Sequence, residues 1–276
     1  MAKTSLQQTR IGFIGCGAMA KALAGGLVEA GLPTSQIRAS DPVPAARKSF
    51  ESATGARVCE NNDEVVAESD LVILAVKPGA VASVLEGVEP ELSARPIWVS
   101  IAAGVPLATL SLALPDGTRI VRTMPNTPAL VRAGATAYFP GPALSSADVA
   151  LVERVLEAAG WVWRAPNEDL LDAVTGLSGS GPAYVFLFLE ALADAGVSQG
   201  LPRDAAQALA IHTVLGSAKL ALETGAHPGV LKDQVTSPGG TTIAGLERLE
   251  AGGVRAAVYE AVRAATKRSR ALRKKA

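Results

Sequence analysis

The stretch that begins at Ile11 constrains the fold more than any other. The short apolar run IGFIG leads directly into Gly15-Cys16-Gly17-Ala18-Met19-Ala20 and then into a helical pattern. A strand that becomes a helix through a GxGxxA turn opens a βαβ unit, and such units build parallel sheets. Each residue type suits that turn. Gly15 permits the tight bend, Gly17 lets a phosphate approach the backbone, and Ala20 lets the helix pack close to its strand. The free N–H groups at the start of the helix attract an anion. Together these features point to a dinucleotide held by its pyrophosphate.

The rest of the chain divides into two halves. Strands are expected at residues 37–41, 71–76, 96–101, 119–123, 135–139 and 161–164, after the first at 11–15. Helical patterns over 18–31, 45–52, 63–69, 80–87 and 107–112 separate the earlier ones. The run LVILAV from Leu71 is continuous rather than alternating, which marks a strand covered on both faces. Beyond Asn167 no β-branched run follows, and Ala-, Leu- and Glu-rich patterns predict helices over 168–174, 182–196, 203–224, 228–235, 241–251 and 254–267. We therefore expect an α/β Rossmann-type domain over 1–165 and an all-α domain over 166–276. A chain of 276 residues that is 49% apolar and 19% charged can bury a core for each.

Composition removes several functions. The 26 basic residues balance the 26 acidic ones, which argues against a dedicated nucleic-acid binder. The basic C-terminal segment ATKRSRALRKKA reads as a solvated helix end. Two cysteines and two histidines make neither a disulfide scaffold nor a zinc site, and fit a reducing cytoplasm. The uncharged runs 97–114 and 173–189 are broken by glycine, proline and hydroxyl residues, short of the ~20 apolar residues a span needs. The expectation is a soluble, cytoplasmic protein with no membrane partner.

Asp41 stands 21 residues past Ala20, at the end of the second expected strand. An acid there can accept hydrogen bonds from ribose hydroxyls and would repel a 2′-phosphate. Alternatively it caps the turn through Pro42 and Pro44. The nearby Arg38, Ser40, Arg47 and Lys48 leave a 2′-phosphate open as well. Lys77-Pro78 and Ile101-Ala102-Ala103-Gly104 follow later strands, where α/β sheets bind ligands, and small residues there leave room for a nicotinamide. The helical half has no Ser-His-Asp set and no HExxH. His212, in mid-helix, and His227, in a His-Pro-Gly turn, read as structural. Two segments remain: LSGSGP at 177–182 and Ser237-Pro238-Gly239-Gly240-Thr241-Thr242. Glycines ahead of a helix can present several N–H groups to a carboxylate, and Thr241 or Thr242 can cap the helix or offer a hydroxyl. The first long helix of this half, GPAYVFLFLEALADAG, has no lysine to serve as a ketone's proton donor. A protonated C=N bond accepts hydride without one.

Five motifs carry a resemblance: AVKP at 75–78, SIAAG at 100–104, MPNTP at 124–128, DAVTGLSGSGPAY at 172–184 and HPGVLKDQVTSPGGTT at 227–242. On these the chain resembles the pyrroline-5-carboxylate reductases along nearly its whole length. The resemblance implies a Rossmann domain for NADPH or NADH and a helical domain that pairs subunits, as a dimer or a pentamer of dimers. It implies hydride transfer to C5 of (S)-1-pyrroline-5-carboxylate, giving L-proline, the last step of proline biosynthesis. Carried over by position, it places Gly15, Cys16, Gly17, Ala18, Met19 and Ala20 at the pyrophosphate, and Asp41 and Asn62 at the adenosine. Ala75, Val76, Lys77, Pro78, Ile101, Ala102 and Ala103 would line the ribose and nicotinamide. Asn126 would shape the substrate pocket, and Gly239, Gly240, Thr241 and Thr242, contributed by the partner subunit, would hold the substrate, with Thr242 as the catalytic hydrogen-bond partner of its ring nitrogen. No metal is implied. Two positions depart from the pattern. Asp41 stands where relatives that favour NADPH often carry Ser, and Gly225 stands where some place Glu. The competing readings are a reductase of another small imine or keto acid, such as a piperideine carboxylate, and a non-catalytic dinucleotide sensor. The intact SPGGTT segment argues against the sensor.

Overall fold

The computed structural model describes residues 6–273. The chain forms two compact units: residues up to Ser180 together with those from Ala264 onward, and Gly181–Arg263. This division falls later than residue 165 and returns the end of the chain to the first unit.

The first unit holds β1 (Ile11–Ile14), β2 (Ile37–Ser40), β3 (Arg57–Cys59), β4 (Leu71–Leu74), β5 (Ile97–Ser100), β6 (Arg119–Met124), β7 (Gly134–Pro140) and β8 (Gly160–Arg164). They make one sheet in the order β3-β2-β1-β4-β5-β6-β7-β8. Every pairing is parallel except that of β6 with β7. Strand order reverses beside β1, whose Ile11 lies opposite Ile37 on one side and Leu71 on the other. That reversal opens a crevice at the carboxyl ends of β1 and β4, where open α/β sheets bind ligands.

The connections contain α1 (Ala18–Glu29), α2 (Pro44–Thr54), α3 (Asn62–Ala67), α4 (Val81–Glu86), α5 (Pro90–Ser93), α6 (Leu107–Leu112) and α7 (Ser146–Glu157). All four residues of β1, β4 and β5 are buried, as continuous apolar runs require of strands covered on both sides. One core gathers Phe13, Leu23, Leu27, Ile73, Val152 and Val155; another gathers Ile14, Val66, Val72, Leu85, Trp98 and Leu110. Each fully buried side chain of this size contributes about 1.5–3 kcal/mol. The Rossmann-type architecture expected from the sequence is present, with β3, α5 and α7 in addition. The short RVC strand carries no periodic signal. α7 announces itself by a capping box, in which Ser145 accepts from the Asp148 N–H and Asp148 accepts from the Ser145 N–H.

After β8 come α8 (Leu170–Val174) and a π turn over Thr175–Gly179. The second unit is helical: α9 (Gly181–Ser198), α10 (Arg203–Thr224), α11 (Pro228–Gln234), α12 (Thr241–Ala251) and the start of α13 (Val254–Arg273). α9 and α10 pack so closely that a Cβ on Gly196 would lie 3.2 Å from the Ala206 Cβ. Both helices leave apolar side chains exposed, among them Phe186, Leu187, Phe188, Leu209, Ile211 and Leu215. By length and composition α10 is apolar enough to cross a membrane, and only 11% of its apolar window is buried within the chain; Lys219 and Glu223 form an ion pair near its end.

The end of α13 belongs to the first unit and locks onto a buried charge cluster. The Ser269 hydroxyl donates to Asp172 Oδ1 at 2.7 Å, and Arg273 Nη1 lies 3.3 Å from Asp172 Oδ2 and 2.5 Å from Asp169. Arg122 on β6, itself buried, reaches Glu168 at 2.9 Å and Asp172 at 3.8 Å. Glu168 also accepts the Leu107 N–H at 2.8 Å.

Candidate active site

The segments that follow β1, β2, β4 and β5 are bonded edge to edge. The Gly15 N–H donates to the Ser40 carbonyl at 2.8 Å, the Ala75 N–H to Ile14 at 2.8 Å, and the Ile101 N–H to Leu74 at 3.2 Å. The structure thus places Gly15 beside Ser40 and Ala75, and Ile101 beside Leu74 one strand further along the sheet. Gly15 has φ 101°, and a Cβ there would sit 2.5 Å from the Ala75 carbonyl oxygen, so this turn admits only glycine. Gly17 is the N-cap of α1 and supplies no side-chain cap. A Cβ on Gly17 would meet nothing within 4 Å. The first N–H groups of a 12-residue helix therefore face open space beside exposed Gly17 and Ala18, while Ala20 is buried against the sheet. That geometry fits a pyrophosphate: unmet donors, the positive end of a helix, and room at the backbone.

Cys16 is a structural member of the loop. It is buried, and burial first, then the Asp41 charge, pushes its thiol up to about 12. Its N–H donates to Asp41 Oδ2 at 2.9 Å, and the Val43 N–H donates to Asp41 Oδ1 at 2.8 Å. Asp41 therefore closes the turn into α2, and it also holds the glycine loop. Asn62 accepts the Ser40 hydroxyl at 2.7 Å, while Asn61 caps α3. Lys77 and Pro78 are exposed at the 3-10 turn Pro78–Ala80; Ala75, Val76 and Ile101 are half-buried, Ala102 is buried and Ala103 is exposed.

Asn126 ties three segments together. Its amide nitrogen donates to the Ser178 hydroxyl at 3.1 Å and carbonyl at 3.3 Å, and its oxygen accepts the Ala135 N–H at 2.9 Å. The LSGSG run, expected to be a glycine-rich loop, is largely the π turn that extends α8, and a Cβ on Gly179 would collide with the Met124 methyl.

In the second unit, Gly239 has φ 65° and Gly240 is the N-cap of α12. Neither Thr241 nor Thr242 caps the helix, because no side-chain cap bond forms. Exposed Thr241 and half-buried Thr242 instead follow an uncapped helix start, with their own N–H groups unmet by a cap. His227 is the helix-boundary device the turn suggested: its Nδ1 accepts the Gly229 N–H at 3.1 Å and caps α11. His212 is exposed on α10. The buried Arg122–Asp172 cluster beneath the π turn had no signal in the sequence, since its members are scattered from 122 to 273.

Comparison with known proteins settles the lineage. Residues 168–272 match the model of the pyrroline-5-carboxylate reductase dimerisation family, and residues 10–104 match that of NADP oxidoreductase, coenzyme F420-dependent. The pyrroline-5-carboxylate reductase of Methanosarcina acetivorans is 48% identical over 271 residues, covering 98% of this chain and 100% of that protein. The chain belongs to the pyrroline-5-carboxylate reductase family. A solved pyrroline-5-carboxylate reductase from Coxiella burnetii superposes with TM-score 0.90 at 36% identity, covering 96% of this chain and 98% of that one. The Plasmodium falciparum pyrroline carboxylate reductase, solved with NADP bound, gives TM-score 0.88 at 31% identity, over 98% and 100% of the two chains. The dimerisation match supports a homo-oligomer, and it covers α9 and α10 with their exposed apolar side chains.

Proposed function

We propose that this chain reduces (S)-1-pyrroline-5-carboxylate to L-proline with NAD(P)H, and that the residues above divide the work as follows. The observation that carries the reading is the uncapped start of α1 at the switch point of the sheet, in a chain matched over its whole length to this family. NAD(P)H, when bound, supplies the hydride. Gly15, Gly17 and the first N–H groups of α1 hold the pyrophosphate. Ala75, Val76, Lys77 and Pro78, with Ile101, Ala102 and Ala103, form the wall along the ribose and nicotinamide. The small side chains of Ala75 and Ala103 let a flat ring lie close to the backbone. Asn126 holds the end of β6 against Ser178 and so keeps the pocket floor in place.

The N–H groups of Gly240, Thr241 and Thr242 at the start of α12, contributed by the partner subunit, hold the substrate carboxylate. The Thr242 hydroxyl oxygen accepts from the protonated ring nitrogen and orients the C=N bond. The proton is already on nitrogen, so hydride addition at C5 needs no general acid; positioning and electrostatics carry the step. The apolar faces of α9 and α10 serve subunit pairing, giving a dimer that can close into a pentamer of dimers in the cytoplasm.

The test is a continuous 340 nm assay with pyrroline-5-carboxylate, run beside piperideine-2-carboxylate and an open-chain keto acid, using NADPH and NADH. Oxidation that is fastest with pyrroline-5-carboxylate supports the reading. A folded chain that binds dinucleotide and oxidises it with none of the three overturns it.

A further inference from the structure

The corner that meets the adenosine ribose differs from what Asp41 implies in the sequence. An acid at the end of β2 ordinarily accepts the ribose hydroxyls, which favours NADH. Here both carboxylate oxygens are engaged by backbone donors, Oδ2 by the Cys16 N–H and Oδ1 by the Val43 N–H. One bond to each oxygen fixes the carboxylate plane between the glycine loop and the turn, and spreads its charge onto two peptide dipoles. Beside it, Arg47 Nη1 donates to the Asp41 main-chain carbonyl at 2.6 Å. Among the described residues Arg47 has no carboxylate partner in an ion pair, and it is only half-buried. Arg38, by contrast, is neutralised by Glu68 at 2.5 Å, and its other two guanidinium nitrogens are buried without a partner. Lys21 adds a second cation to this corner, where its Nζ donates to the Ser49 hydroxyl at 3.0 Å and ties the first turn of α1 to α2.

We propose that Asp41 is the staple of the phosphate loop and not a ribose ligand, and that Arg47 is the cation that receives a 2′-phosphate, so that the chain selects NADPH over NADH. The inference rests on the dinucleotide reading above and extends it to the choice of cofactor. Arg47 is well suited to the task. Its guanidinium is held at one nitrogen by a carbonyl that cannot neutralise it, leaving its remaining N–H donors for a phosphate. Asp41 contributes to both cofactors alike, because the Cys16 peptide it fixes lies in the loop that meets the pyrophosphate they share.

Calorimetry without substrate tests this directly. The ligands are NADPH, NADH, and the fragments adenosine 2′,5′-bisphosphate and 5′-AMP, titrated into wild type, Arg47→Ala and Asp41→Asn. Wild type should bind NADPH and the bisphosphate more tightly than NADH and AMP. Arg47→Ala should lose about ten- to a hundredfold in affinity for the two 2′-phosphorylated ligands, the range for a charge-assisted bond, and stay within about threefold for the other two. That unmoved pair also shows that the variant is folded. Asp41→Asn should weaken both dinucleotides by a similar factor and leave their ratio unchanged. A wild type that prefers NADH, or an Asp41→Asn variant whose NADPH/NADH ratio rises, overturns the proposal while leaving the dinucleotide reading intact. A wild type that binds neither dinucleotide overturns both.

Discussion

Removing Arg122 should destabilise the first unit far more than removing any exposed arginine. Arg122 is buried on β6 and is the cation paired with Glu168 at 2.9 Å; it also lies 3.8 Å from fully buried Asp172. Breaking a buried pair from one side costs about 3–5 kcal/mol, because the partner is left charged without compensation. Two features place Arg122→Met at the lower end. Asp172 keeps Arg273 at 3.3 Å, and Glu168 keeps the Leu107 N–H and is a quarter exposed. The expected loss is therefore about 3 kcal/mol, or about 6–12 °C in Tm at 2–4 °C per kcal/mol for a unit of this size. Asp172→Asn keeps an acceptor for the Ser269 hydroxyl and removes the charge. Combined with Arg122→Met it should recover at least about 1 kcal/mol relative to the sum of the single losses. The assay is urea unfolding followed by circular dichroism, at fixed protomer concentration because oligomers unfold by mass action. A single-variant loss under about 1 kcal/mol, or strict additivity in the double variant, would refute the view that this cluster is held by its charges.

Four further outcomes are expected. Gly17→Val should leave Tm unchanged, since its Cβ meets nothing within 4 Å, yet abolish dinucleotide binding by calorimetry; retained affinity would move the pyrophosphate elsewhere. Thr242→Ala should lower kcat about ten- to a hundredfold at unchanged NADPH affinity and unchanged Tm, since its hydroxyl caps nothing; parent-like kinetics would remove it from the reaction. Burial alone would raise the Asp148 carboxyl, but bonds from Ser145 and Arg119 hold it below its ordinary 3.8. A carboxylate depressed on folding stabilises above its unfolded pKa and loses that contribution as pH falls through the folded value. The urea-midpoint gap between wild type and Asp148→Asn should therefore be full above about pH 5 and shrink steadily below about pH 4; a gap as large at about pH 2.5 as at about pH 5 would contradict this. Finally, burial raises both the Cys16 and Cys59 thiols, so a thiolate-specific reagent at pH 8 should titrate both cysteines only after unfolding.

Much of the dinucleotide unit could be read from residue order because its signals are local. LVILAV declares a doubly covered strand, and GCGAMA places a strand–turn–helix within six residues. β3 was invisible because three residues, one of them an exposed arginine, carry no period. α7 is legible through its Ser145–Asp148 box. LSGSG has loop composition, yet it winds into a π turn closed by the Ser180 N–H on the Thr175 carbonyl, and Asn126, 52 residues from Ser178, ties it to β7. Asp41 shows the same limit at a finer scale. Its type and spacing announce an acid at the ribose corner, but the direction of its carboxylate depends on a peptide 25 residues earlier.

The first unit is interrupted in sequence, and this sets a schedule for synthesis. Its sheet is complete at Arg164, yet the hydroxyl that bonds Asp172 comes from Ser269, 97 residues later. A chain emerging from the ribosome at about 5–20 residues per second can pair its strands, and Arg122 with Glu168, early, but Asp172 waits several seconds for Ser269 and Arg273 in the last turns of α13. During that interval the helical unit must be made in full, so Asp172 stays without these two partners until Ser269 and Arg273 appear. A chain released short of Ser269 carries every strand of the sheet and every glycine of the phosphate loop, and still exposes the charges that the last helix was to cover.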